Sequence, residues 1–140
     1  MSVKERSRER VKFLDNLMTT AIENYGYGWF YVHEYAGEGE TLYAVIEDED
    51  EPGDTYRVDL DTFAKGLGVI DRAELKVDPE FPNDGEVLHN SATGQRLYMS
   101  QRHRKRILTA SRTNGDEGDI DVVDALAVLE CALFGRVVNG

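Results

Sequence analysis

Val11, Leu14, Leu17, Met18, Ala21, Ile22 and Tyr25 recur at intervals of three and four, with Asp15, Asn16, Thr19 and Glu23 between them. That spacing gathers the apolar side chains on one face and predicts an amphipathic helix over residues 3–25, stopped by Gly26 and Gly28. From Trp29 the period changes to two. WFYVHEY, TLYAVIE and TYRVDL are rich in aromatic and β-branched residues, and the third alternates with Tyr56, Val58 and Leu60 on one side. AGEGE and DEDEPGD separate these runs with turn-forming residues, so a three-stranded antiparallel meander is expected. Asp59 or Asp61 then stands where a short helix containing Phe63 and Leu67 needs its N-cap.

The second half is less regular. EFPNDGE reads as a loop, and EVLHNSATGQRLYMS as either a hairpin or irregular chain. Residues 100–112 predict a helix with Ile107 and Leu108 facing inward. A last helix runs to about Phe134, is stopped by Gly135, and leaves a short extended stretch over 136–138. Between 122 and 134 only Asp124 and Glu130 are polar. A helix apolar nearly all round is either central to the core or covered by a second copy of the chain, so a homodimer stays open here. The expected fold is α+β, a single domain over 1–140. Its small antiparallel sheet has about three strands, with an extra hairpin as an option, and packs with the N-terminal and C-terminal helices.

Four acids, Asp116, Glu117, Asp119 and Asp121, precede that last helix and raise the question of a calcium loop. Such a loop needs oxygen ligands at positions 1, 3, 5, 7, 9 and 12, and glycine at 6. Counting from Asn114, the fifth residue is Gly118 and the sixth Asp119; counting from Asp116, the twelfth is Ala127. The register fails. Helix initiation explains the same residues, with Asp119 or Asp121 as N-cap and Asp124 in the first turn, where a good cap contributes about 1 kcal/mol.

Composition sets outer limits. With 140 residues, 41% of them hydrophobic, the chain can bury one real core. No apolar run approaches the roughly 20 residues that span a bilayer, and the charged N-terminus does not read as a secretory signal. A single cysteine, Cys131, permits no internal disulfide and suits a reducing cytoplasm, the expected location. The net charge of −11, from 27 acids against 16 bases, disfavours membranes and free nucleic acid. The charges are also segregated. Residues 1–12 carry five bases and two acids, residues 102–112 five bases and no acid, and residues 47–54 six acids.

FLDNLMTTAIENYGYGWFYVHEY (residues 13–35) and ILTASRTNGDEGDIDVVDALAVLECALFGRVVNG (residues 107–140) resemble a family of small proteins encoded by actinobacteriophages and by actinobacterial plasmids and integrated elements. DLDTFAKGLGVI, residues 59–70, is similar to that family's middle helix, whereas 71–99 has no counterpart. The resemblance implies origin and carries over no catalytic motif or cofactor. For a phage accessory protein of this size it implies action by binding a host protein.

Tests for chemistry return little. His33, His89, His103 and Cys131 have no metal-ligand spacing, and Cys131 in its apolar helix reads as a small buried hydrophobe. There is no nucleophile elbow, and the Gly66–Gly68 stretch is too short for a phosphate loop. No catalytic residue, cofactor or metal is expected, and the chain reads as a non-enzyme.

Two charged surfaces are the candidate sites. On the 100–112 helix, Arg102, Lys105, Arg106 and Arg112 share a stripe with Thr109 that could grip phosphates or pair with the protein's own acids. The acidic run offers Glu47, Asp48, Glu49, Asp50, Glu51 and Asp54, which read as a solvated hairpin loop. Same-side carboxylates on a strand stand about 6.6 Å apart, so the run could also imitate DNA phosphates. The favoured expectation is an accessory protein that binds and modulates a host protein, with the DNA mimic as its sharp form. The alternative is a nucleic-acid binder using helix 100–112 and the basic N-terminus.

Overall fold

The computed structural model describes residues 6–138. Lys4, in the basic N-terminal run, lies outside the described residues. Helix α1 (Arg8–Glu23) starts at Ser7, whose Oγ accepts from the Arg10 backbone N–H at 3.1 Å. It buries Phe13, Leu14, Leu17, Met18, Ala21 and Ile22, the face its periodicity predicts. Each side chain of that size, fully buried, contributes roughly 1.5–3 kcal/mol.

Strands β1 (Phe30–Ala36), β2 (Tyr43–Asp48) and β3 (Thr55–Asp59) form the expected antiparallel meander in the order β1-β2-β3. The β1–β2 register runs from Phe30 opposite Asp48 to Ala36 opposite Tyr43, and shifts between Val32 and Glu34. Phe30, Ala44, Ile46 and Val58 are buried and form its inner surface. Asp59 closes β3 and caps α2 (Leu60–Asp71): its carboxylate accepts from the Thr62 N–H while the Thr62 hydroxyl accepts from the Asp59 N–H. This is a reciprocal capping box, with threonine in the answering role.

Helix α3 (Gln101–Arg112) begins at Ser100 and buries Ile107, Leu108, Ala110 and Ser111. Helix α4 (Val122–Phe134) is the centre of the core, and every residue from Asp124 to Ala132 is buried. The chain's own elements therefore cover this nearly all-apolar helix. Its closest neighbour is α2. A Cβ added at Gly66 would lie 2.1 Å from the Val128 carbonyl oxygen, so the glycine is there to let two backbones touch. Asp121 is the N-cap, and Gly135 closes the helix in the left-handed region at φ 76°.

The unreadable stretch resolves into a second, two-stranded sheet, β4 (Glu74–Val77) and β5 (Glu86–His89), paired antiparallel across the EFPNDGE loop. The extra hairpin is thus present, one segment earlier than EVLHN–RLYMS would place it. Those two segments share a single bridge, His89 with Arg96. Arg96 Nη1 reaches Asp78 and Asp84, both at 3.1 Å, and ties the hairpin's connection to its base.

Candidate functional site

The basic stripe on α3 is largely engaged within the molecule. Arg106 bonds Asp124 at 2.5 Å and lies 3.8 Å from Asp121, and Arg112 meets Asp71 at 3.0 Å. Arg104, next to the stripe, donates to the Ile70 and Asp71 carbonyls and closes the C-terminus of α2. Arg102 and Lys105 form no ion pair among the described residues and point to solvent.

The acidic run folds as the turn between β2 and β3. Glu47 pairs with His33 across the strands at 2.9 Å. Asp48 accepts from the Asp50 and Glu51 backbone N–H groups at 2.8 and 3.3 Å, so it builds the turn from inside. Glu49, Asp50, Glu51 and Asp54 are exposed around that turn, so they do not form a straight row along a strand.

A concave surface that no sequence motif announced lies along α4. It has a volume of about 710 Å³ and is walled by Asn24 at the end of α1, by Tyr98 and His103, by Val123 and Leu126 of α4, and by Val137 of the tail. Its lining is mostly apolar. Val123 is 63% exposed at the mouth and Tyr98 49%. Tyr98 sits at φ 60°, which is unusual for a bulky side chain, and Arg96 and Arg136 stack over its ring with guanidinium carbons 5.0 and 5.9 Å from the centroid. Val137 is fixed by its N–H to the Leu97 carbonyl at 2.9 Å, and the Val138 N–H donates to buried Glu130 at 2.9 Å. The post-helix tail is therefore one wall of the groove.

At the start of α4, beside the groove, is a buried carboxylate with three partners. Asp124 is fully buried, and its Oδ1 accepts from His103 Nε2 at 2.6 Å and from Arg106 at 2.5 Å. Its Oδ2 accepts from the Asp121 N–H at 3.1 Å, and Asp121 Oδ1 returns the favour to the Asp124 N–H at 2.8 Å. Burial pushes this carboxyl up, but the bonds from His103, Arg106 and the Asp121 backbone outweigh it and hold it down at about 2. An ionised carboxylate only accepts, so Nε2 of His103 carries the proton. The cluster joins α3 to the start of α4 and accounts for His103 structurally. It also answers the question raised by GDEGDID: Asp121 and Asp124 are a capping box, and Asp116, Glu117 and Asp119 are exposed in the preceding loop.

The four potential metal ligands lie apart. His33 is on the sheet face, His89 bonds the Val87 carbonyl, His103 serves Asp124, and Cys131 is buried in α4. Among the described residues no three His, Cys, Asp or Glu side chains converge as a metal site, and no helix is long and apolar enough to cross a membrane. Compared with models of known families, with curated proteins and with solved structures, the chain finds no match.

Proposed function

We propose that this chain is a non-enzymatic accessory protein of a phage or mobile element that binds and modulates a host protein. The observation that carries the reading is the apolar groove on α4, whose exposed Val123 and Tyr98 stand at the mouth of an otherwise closed core. An apolar groove with exposed anchors at its mouth and charge at its rim offers a seat for a protein segment. Asp121 lines its α4 side, and the whole chain carries −11. The fitting occupant is a protein segment with one or two apolar anchors and a lysine or arginine at the end that meets Asp121. The resemblance of residues 13–35 and 107–140 to mobile-element proteins points the same way.

The acidic hairpin supports DNA mimicry less well, because Asp48 is turned into the loop and the remaining carboxylates follow a turn. The discriminating substitution is Val123→Asp. It removes the apolar mouth, should leave stability within about 0.5 kcal/mol of the parent at this exposed site, and places an acid where a helix start favours one. Capture from an actinobacterial lysate, run in parallel with parent and V123D, should show a protein retained by the first and lost by the second. Neutralising Glu49, Asp50 and Glu51 should leave that protein bound. Loss on neutralising the hairpin, with V123D indifferent, would transfer the function to the acidic loop.

A further inference from the structure

The hairpin of β4 and β5 leaves one edge of the fold open. Strand β4 pairs with β5 alone, and all four of its residues are exposed. The direction of its backbone groups follows from β5. The Leu88 carbonyl accepts from the Leu97 N–H and the Asn90 N–H donates to the Gln95 carbonyl, both at 2.8 Å and on the side away from β4. Bonded and non-bonded pairs alternate along an antiparallel ladder. The β4–β5 bonds therefore fall on the pairs Glu74–His89 and Lys76–Val87, and the N–H and C=O groups of Leu75 and Val77 point outward. Among the described residues no group of another element bonds to them.

The side chains of this edge are also left half covered. Leu75 stands opposite buried Leu88, so Leu75 and Val77 lie on the core side of the hairpin. They remain 43% and 51% exposed because they lie beyond β5, at the rim of the core. Phe81, in the connection that follows, is half exposed as well. An open edge with apolar side chains is a template for a further strand. Strand β1, also at an edge, is guarded by the shift in its register between Val32 and Glu34. Strand β4 runs without one.

Glu74 and Lys76 occupy the opposite face and meet each other at 3.3 Å, with both side chains more than half exposed. A lysine on an edge ordinarily repels a second copy, and a register that set Lys76 against the partner's Lys76 would do so. Centred on Leu75, the same strand becomes self-complementary. Each Glu74 then faces the partner's Lys76, and Leu75 faces the partner's Leu75. The outward N–H and C=O of Leu75 exchange two bonds with the same groups across the axis.

We propose that β4 pairs antiparallel with β4 of a second copy, about a two-fold axis at Leu75, and joins the two hairpins into one sheet. Such a contact is isologous and closes as a dimer. Strands this short bury less than the roughly 1,200 Å² of a standard interface, so the dimer is weak, with a Kd on the order of 0.1 mM.

The full chain tests this by sedimentation velocity from about 10 μM to about 1 mM, at about 150 mM salt to screen the repulsion between two acidic copies. It should pass reversibly from monomer to dimer, and in NMR spectra over the same dilution the amides of Ala73 to Val77 should move. Lys76→Glu sets like charges opposite each other and should weaken the dimer by at least about tenfold, and Glu74→Lys should do the same. Mixed in equal amounts, the two variants should form a heterodimer about as tight as the parent dimer, since every acid again faces a base. Both positions are exposed, so both variants keep the fold. A parent that stays monomeric at about 1 mM would overturn the proposal. So would a dimer indifferent to the charge changes, or a mixture that restores nothing. Val123→Asp should dimerise as the parent does, whatever becomes of host-protein capture. A dimer abolished by that change would place the interface on the α4 groove and end the case for β4.

Discussion

Asp124 shows how one residue joins local and long-range structure. It completes the capping box of α4 and, through the same carboxylate, anchors His103 and Arg106 of α3. Its place in the first turn was legible in the sequence, because acids at the start of an apolar run are a helix signal, while the choice of Asp121 over Asp119 as the cap it answers came from the structure. Its two partners on α3 were not legible, because 18 and 21 residues separate them from it and no spacing rule spans that gap. The pKa of about 2, against an ordinary value of 3.8, has a definite consequence. A carboxyl depressed on folding stabilises the protein above its unfolded pKa, and that contribution disappears as pH falls through the folded one. The window is therefore from about pH 4 down to about 2, and the amount at stake is on the order of 2 kcal/mol. Chemical denaturation followed across that range should show the loss in the parent. Asp124→Asn should be less stable than the parent at pH 7 by a similar amount and should show a flatter acid limb. An acid limb identical in the two proteins would mean that Asp124 is not what acid titrates.

At the scale of elements, most of the architecture follows from pattern. The α1 periodicity, the meander, a cap at Asp59 or Asp61 and the apolar α4 are all read from residue order, and the structure selects Asp59. Strand β4 escaped because ELKV has no buried residue: Leu75 and Val77 are 43% and 51% exposed, so alternation there marks no core face. The groove escaped for another reason. Its lining comes from residues 24, 98, 103, 121–123, 126, 127, 130 and 137, which only the packed helices bring together. Gly66 lies between these cases. The sequence shows a glycine in mid-helix, where it costs about 1 kcal/mol relative to alanine, and the structure shows why it stays. Gly66→Ala should gain helix propensity yet lose stability overall by roughly 1–3 kcal/mol, since its Cβ must push α2 off the Val128 carbonyl. A Tm lowered by several degrees is the expected reading. A Tm raised by the substitution would show that the α2–α4 contact yields freely.

The whole molecule is an acidic chain that ties up much of its positive charge internally. Arg96 holds the second hairpin, Arg104 closes α2, Arg106 and Arg112 bind acids of neighbouring elements, and Arg57 pairs with Asp59. This arrangement limits what the α3 stripe can do to DNA. With Arg106 and Arg112 engaged, Arg102 and Lys105 are the stripe's remaining cations, enough for about two phosphates. Each phosphate neutralised contributes a slope of roughly −0.9 to the dependence of log K on log salt. At about 150 mM salt the Debye length is about 8 Å, so the stripe gains little from cations elsewhere while the −11 net charge opposes approach. Fluorescence anisotropy with a labelled duplex should therefore show no binding at that salt, and at about 20 mM a weak association with a slope no steeper than about −2. A slope of −4 or beyond, lost on replacing Arg102, Arg106 and Arg112, would require the internal pairs to open for DNA. That result would make nucleic-acid binding the function and the α4 groove incidental to it.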